Sequence, residues 1–147
     1  MPGTNSVRRM AQTTLNVEHL FSLTAMTTIA AVMANGPQGT RVIVDASTGT
    51  FAGEKLNGTV HGPGGDWLTM RADGSMKLDV RIVLKTADGA DILMTYTGVS
   101  TGLGNPIHTA PLFETGDERY AWLNTVQALA IGLAGPESVT YEVYRIV

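Results

Sequence analysis

Between Lys77 and Thr86 the side chains sort by parity. Leu78, Val80, Ile82 and Leu84 fall on one face, and Asp79, Arg81, Val83 and Lys85 on the other. A period of two predicts a β-strand lying between two different surroundings. The Asp73-Gly74 and Asp88-Gly89 dipeptides bracket this run, and Asp-Gly between strands is a hairpin signal. Upstream, the strip Gly64-Gly65-Asp66-Trp67-Leu68-Thr69-Met70-Arg71-Ala72-Asp73-Gly74 reads turn, short strand, turn. A further strand is predicted over Asp91–Gly98. Together these segments predict antiparallel β structure, with an acid and a base two residues apart on one face of the middle strand.

The pattern continues along the chain. Short runs rich in Val, Ile, Thr, Leu and Phe alternate with glycines, which suggests a sandwich or a barrel. The predicted strands are Leu15–Met26, Arg41–Asp45, Gly49–Gly53, Lys55–His61, Trp67–Arg71, Lys77–Thr86, Asp91–Gly98, Ile107–Glu114 and Ser138–Val147. The last is β-branched and aromatic almost throughout. Gly62-Pro63-Gly64-Gly65 reads as a turn. Two segments conflict with the pattern. Ala25–Ala34 is rich in Ala and Met and compatible with helix. In Ala121–Ala134, Leu123, Val126, Ala130 and Leu133 fit a 3.6 period, so its residues alone predict a helix.

Composition narrows the classes. A chain of 147 residues suits one domain, expected over 13–147, with a polar leader over 1–12. The formal net charge of −3 and ten scattered Lys and Arg argue against nucleic acid. The absence of cysteine excludes disulfides, thiolate nucleophiles and Cys-based metal sites. No apolar run reaches the roughly 20 residues of a membrane-spanning helix, and a cytoplasmic protein is expected. No His-x-x-x-His pair, phosphate loop, nucleophile elbow or dinucleotide fingerprint is present, so neither metal nor cofactor is expected.

Several stretches, taken in order, resemble a known family: Val17-Glu18-His19-Leu20-Phe21, Gly49-Thr50-Phe51-Ala52-Gly53, Gly65-Asp66-Trp67, Leu78-Asp79-Val80-Arg81, Phe113-Glu114-Thr115-Gly116 and Arg119-Tyr120-Ala121-Trp122-Leu123-Asn124. The chain resembles the DUF3237 family, also called UPF0311, from Leu15 to Val147. The resemblance implies an all-β fold, a single antiparallel β-barrel of roughly 8–10 strands. It also implies that Trp122–Gly132 is a strand, against the helix its residues suggest. His61 and Asp45 depart from the family pattern and would tune a ligand site if they reached the barrel mouth.

The candidate chemistry centres on Asp79. In the lumen it would be a general acid–base, with burial set against the pull of Arg81; on the outside it would be a solvated ion pair. Tyr96, on the neighbouring strand, can donate to a carbonyl or a developing oxyanion. His61, beside a Gly-rich segment, is the histidine best placed for catalysis. Trp67, Phe113 and Trp122 are read as an apolar pocket wall, with Arg41, Arg81 and Asn124 orienting polar groups. Asn124 shares the face of Trp122 if that segment is a strand. Asp66 is read as turn chemistry. The expected function is a cofactor-independent acid–base enzyme, an isomerase, cyclase, hydratase or lyase, acting on a small, largely apolar carbonyl-containing or cyclic molecule. The alternative is a lipocalin-like binding protein without turnover. The expected partner is a small-molecule ligand, with a homodimer as a further candidate.

Overall fold

The computed structural model describes residues 11–147, so the leader expected over 1–12 falls almost wholly outside the described residues. Among the described residues, nine strands form one antiparallel sheet: β1 (Val17–Gly36), β2 (Gly39–Ala52), β3 (Asn57–Met70), β4 (Met76–Thr86), β5 (Asp91–Ser100), β6 (Ile107–Thr109), β7 (Leu112–Glu114), β8 (Ala128–Ala134) and β9 (Ser138–Ile146). Pairing of β4 with β5 closes the sheet on itself. β6 and β7 both pair with β5 and share one position in the wall, so the barrel has eight staves. Pro111, which has no backbone N–H to give a ladder, lies between them.

The two Asp-Gly turns form as predicted. Gly74 and Gly89 take φ of +86° and +93°, the left-handed region open to glycine. β4 obeys the predicted parity: Leu78, Val80, Ile82 and Leu84 are buried, while Asp79, Arg81 and Lys85 are exposed. Closure of the barrel makes the apolar face the inside.

Several boundaries differ from the sequence reading. Four expected strands fuse into two long ones, β2 and β3, each continuing through an irregularity. Gly62-Pro63-Gly64-Gly65 is therefore a bulged stretch within β3 and not a turn. Its glycines admit close backbone neighbours; a Cβ on Gly65 would stand 2.5 Å from the Val44 carbonyl oxygen. Ala25–Ala34 is strand throughout, because β2 supplies backbone partners as far as Gly36. The strand expected over Trp122–Gly132 is corrected in its first half. Residues Glu118–Thr125 form a 3-10 helix, and β8 begins at Ala128. Asp117 caps that helix by accepting a hydrogen bond from the Arg119 N–H at 2.9 Å. Leu123, buried in the core, anchors it. The helix period seen in the sequence thus has a local basis, and sheet pairing takes over once β9 is adjacent.

Buried apolar side chains from most of the strands form one core inside the barrel. Within it Phe21 packs edge-on to Phe51 and Phe113, with ring centroids 5.5 and 6.0 Å apart.

Candidate functional site

Beside the core lies a cavity of about 310 Å³. Its wall is mostly aliphatic, including Val44, Leu68, Leu78, Val80 and Ile82. Three of its polar residues lie on the inward face of the wall: Asp66, Tyr96 and Tyr141. Ser138, Thr27, Thr28 and Leu103 also line it. The volume is at the lower end of small-molecule sites, which are typically largely apolar with a few placed polar groups.

Register places the polar groups. Val44 pairs with Asp66, Asp66 with Val80, and Val80 with Tyr96, so one lateral row crosses β2, β3, β4 and β5 on the inner face. Asp66 occupies a position where its lateral neighbours are valines. Between β3 and β4 the paired positions stop at Asp66–Val80 and resume at Thr69–Lys77 in the same register. In that gap the Asp79 backbone N–H donates to Asp66 Oδ1 at 3.0 Å. A side chain thereby takes the role of a missing ladder acceptor.

The electrostatics follow from this position. Burial pushes the Asp66 carboxyl up from 3.8 to about 6. The Asp79 N–H and the Arg41 guanidinium oppose the rise, and the Asp79 charge adds to it. Tyr96 and Tyr141 are buried with their rings 5.4 Å apart and edge-on. Burial raises both phenols above their ordinary value, and the Asp66 charge adds to each shift. The two hydroxyls are close enough to influence each other's proton affinity, and among the described residues no group completes a hydrogen bond to the buried Tyr141 Oη.

Of the residues read from the sequence as the site, Tyr96 lines this cavity and the others do not. Asp79 and Arg81 are exposed on the outer face, which corrects the lumen reading of Asp79. Tyr96 stands opposite Val80, on the other side of the wall from their side chains. His61 is exposed, pairs with Thr48 and Val83, and stays away from the cavity. Asp45 is also exposed and accepts from Ser47 Oγ at 2.7 Å.

The expected aromatic wall is dispersed. Trp67 is on the outer face and 43% exposed, in a shallow groove with Arg41, Arg71, Lys77 and Asp79. Arg41 donates to the Trp67 carbonyl at 2.9 Å. Phe113 belongs to the closed core. Trp122 lies beneath Lys55 and Arg145, each 5.7 Å from its ring. Asn124 braces a turn by accepting from Thr115 N–H at 2.8 Å and donating to Thr115 O at 3.0 Å.

Asp66 and Tyr141 were missed, and the signal for both was parity. Asp66 shares a face with Leu68 and Met70, and Tyr141 shares one with Val139 and Val143. Reading Asp66 as turn chemistry discarded that information.

Comparison with known proteins agrees with this architecture. A β-barrel-like protein of Acinetobacter baumannii superimposes with a TM-score of 0.81 at 23% identity, covering 92% of this chain and 98% of the other. An enzyme from Penicillium herquei superimposes with a TM-score of 0.71 at 28% identity, covering 93% and 98%. In sequence, the hydroalkoxylation enzyme phnH of P. herquei is 33% identical over 113 residues, 77% of this chain and 71% of the relative. A UPF0311 protein of Rhodopseudomonas palustris is 29% identical over 153 residues, 90% and 97% of the two chains. The family model described as protein of unknown function, DUF3237, matches residues 15–146. By this match the chain belongs to the DUF3237 family.

Proposed function

We propose that the protein is an acid–base enzyme that turns over a small, largely apolar organic molecule inside the barrel, with Asp66 moving the proton. The supporting observation is the Asp66 carboxyl, facing an aliphatic cavity with its pKa raised to about 6. A group that titrates near neutrality can both take and return a proton within one turnover. Asp66 thus replaces Asp79 in the role expected from the sequence.

The reaction class favoured is addition of an alcohol O–H across a carbon–carbon double bond, or its reverse, suggested by the name of the P. herquei relative. Asp66 accepts the hydroxyl proton as the oxygen bonds to one alkene carbon. The displaced π pair moves to the other carbon, which then takes the proton back from Asp66. Atoms and electrons balance without an oxidant or reductant. When both groups belong to one molecule the product is a cyclic ether, within the cyclase class. Water in place of the alcohol would give a hydratase.

The test is a panel of alkenols incubated with wild type and with Asp66→Asn, product being followed by mass-neutral chromatographic shift. Turnover by wild type and its loss in Asp66→Asn support the reading; undiminished turnover in Asp66→Asn overturns it. The mostly aliphatic lining favours a second reading, a carrier. Tight binding of panel members by wild type with no conversion of any would establish that reading instead.

A further inference from the structure

Tyr141 is the feature the proton-transfer scheme leaves unused. It is 3% exposed, lines the cavity, and has a buried hydroxyl with no hydrogen-bond partner among the described residues. A buried donor left unsatisfied loses its hydration with nothing in return, so such groups are uncommon in folded proteins. Phenylalanine at the same place would keep the edge-on packing against Tyr96 without that cost.

The surroundings offer the hydroxyl little. The aliphatic lining, such as Val80 and Ile82, cannot accept. Asp66 Oδ1 receives the Asp79 N–H, and neither oxygen of that carboxyl bonds the Tyr141 hydroxyl. Tyr96 is near enough to influence the phenol but completes no hydrogen bond to it. An acceptor brought by whatever fills the cavity would satisfy the hydroxyl. Among the described residues no Lys, Arg or His lines the cavity, and Asp66 is the one carboxylate that does. A second negative charge would enter without a counter-ion, at a high desolvation cost.

We infer that Tyr141 is a ligand-binding residue that donates its phenolic hydrogen to a neutral carbonyl-type oxygen, so that the lumen takes uncharged ketones or esters on an apolar skeleton and rejects carboxylates. This rests on the lumen being the ligand site, as in the proposed function. It adds an acceptor oxygen to the substrate. Where that oxygen is conjugated to the reacting double bond, Tyr141 holds it as charge develops there.

The experiment is a binding comparison by calorimetry with 1-tetralone and tetralin, bicyclic molecules of similar size with and without a carbonyl. Tyr141→Phe should weaken 1-tetralone about tenfold, the upper range for one neutral hydrogen bond. Tetralin should bind the variant and the wild type alike. At pH 8 the methyl ester of tetrahydro-1-naphthoic acid should bind wild type at least about tenfold more tightly than the free carboxylate.

Equal losses for 1-tetralone and tetralin would overturn the inference, as would carboxylate binding that matches the ester. Failure of wild type to bind either bicycle at millimolar concentration would overturn it together with the lumen site. If Tyr141→Phe does not fold, the infrared carbonyl stretch of 1-tetralone bound to wild type decides. A lower frequency than in cyclohexane is expected, and an unshifted band refutes donation. The two readings fail separately. Asp66→Asn should keep its affinity for 1-tetralone whatever happens to turnover, and an Asp66→Asn that turns over normally leaves the Tyr141 donation standing.

Discussion

Asp66 and Asp79 meet at one peptide. The carboxylate of the first accepts the backbone N–H of the second, yet their side chains lie on opposite faces of the β3–β4 wall. On the outer face Asp79 is solvated, in a groove with Arg41, Lys77 and Thr97. On the inner face Asp66 is surrounded by Val44, Val80 and the cavity, and its carboxyl titrates near 6. The same functional group is exposed on one side of the wall and half-buried on the other, and burial raises its affinity for a proton. Solvent access decides this, since burial penalises the ionised form while water supports it. An ion pair as exposed as one on the outer face would contribute little.

The largest expected effect is on turnover. Asp66→Asn should lower kcat by about 100-fold or more, the range for loss of a general acid–base, while Asp79→Asn should leave it within about twofold. Steady-state rates on an alkenol substrate check both, and a larger loss from Asp79→Asn would reverse the assignment. The contrast between faces also extends along β4. Leu84, fully buried, should cost about 2–5 kcal/mol when changed to Ala. Lys85→Ala, one residue on and exposed, should stay within about 0.5 kcal/mol. Urea unfolding measures both.

A third expectation concerns pH. The folded pKa of Asp66, about 6, is above its ordinary value of 3.8, so the folded chain holds this proton more tightly than the unfolded chain does. Its contribution to stability is complete below pH 3.8 and is lost as pH rises through 6, a loss approaching about 3 kcal/mol. Asp66→Asn should remove that dependence and make the protein more stable than wild type at pH 8. A wild-type curve that ran parallel to the variant's over this interval would show that Asp66 is not the group responsible. Asn124→Ala should cost about 1–2 kcal/mol through its two lost hydrogen bonds, with ligand affinity unchanged. The smallest effect is also the most specific to the wall. The Asp79 charge helps raise Asp66, so Asp79→Asn should move the pH–rate midpoint slightly downward without changing the plateau rate.

Much of the barrel was legible because strand parity and Asp-Gly turns are local signals. Lys77–Thr86 displays its inner and outer faces residue by residue, and Gly74 and Gly89 occupy the turns that their φ values require. Boundaries set by neighbours were less legible. Arg41–Asp45 and Gly49–Gly53 look like two strands because the intervening irregularity breaks the alternation, yet β3 pairs across both halves. Trp122-Leu123-Asn124 has no parity to read, since a capped 3-10 turn holds it.

By itself the sequence determined that the chain is antiparallel β, where its tight turns fall, and that β4 has one apolar and one charged face. These follow from backbone sterics and side-chain alternation over a few residues. Only the tertiary structure decided that the apolar face of β4 is the lumen, that Asp79 is therefore outside, and that Asp66 and Tyr141 face into the cavity. Those facts depend on closure, which brings β4 against β5 and sets the cross-strand registers. Closure also makes water scarce on one side of the wall, which gives Asp66 a chemistry that Asp79 does not share.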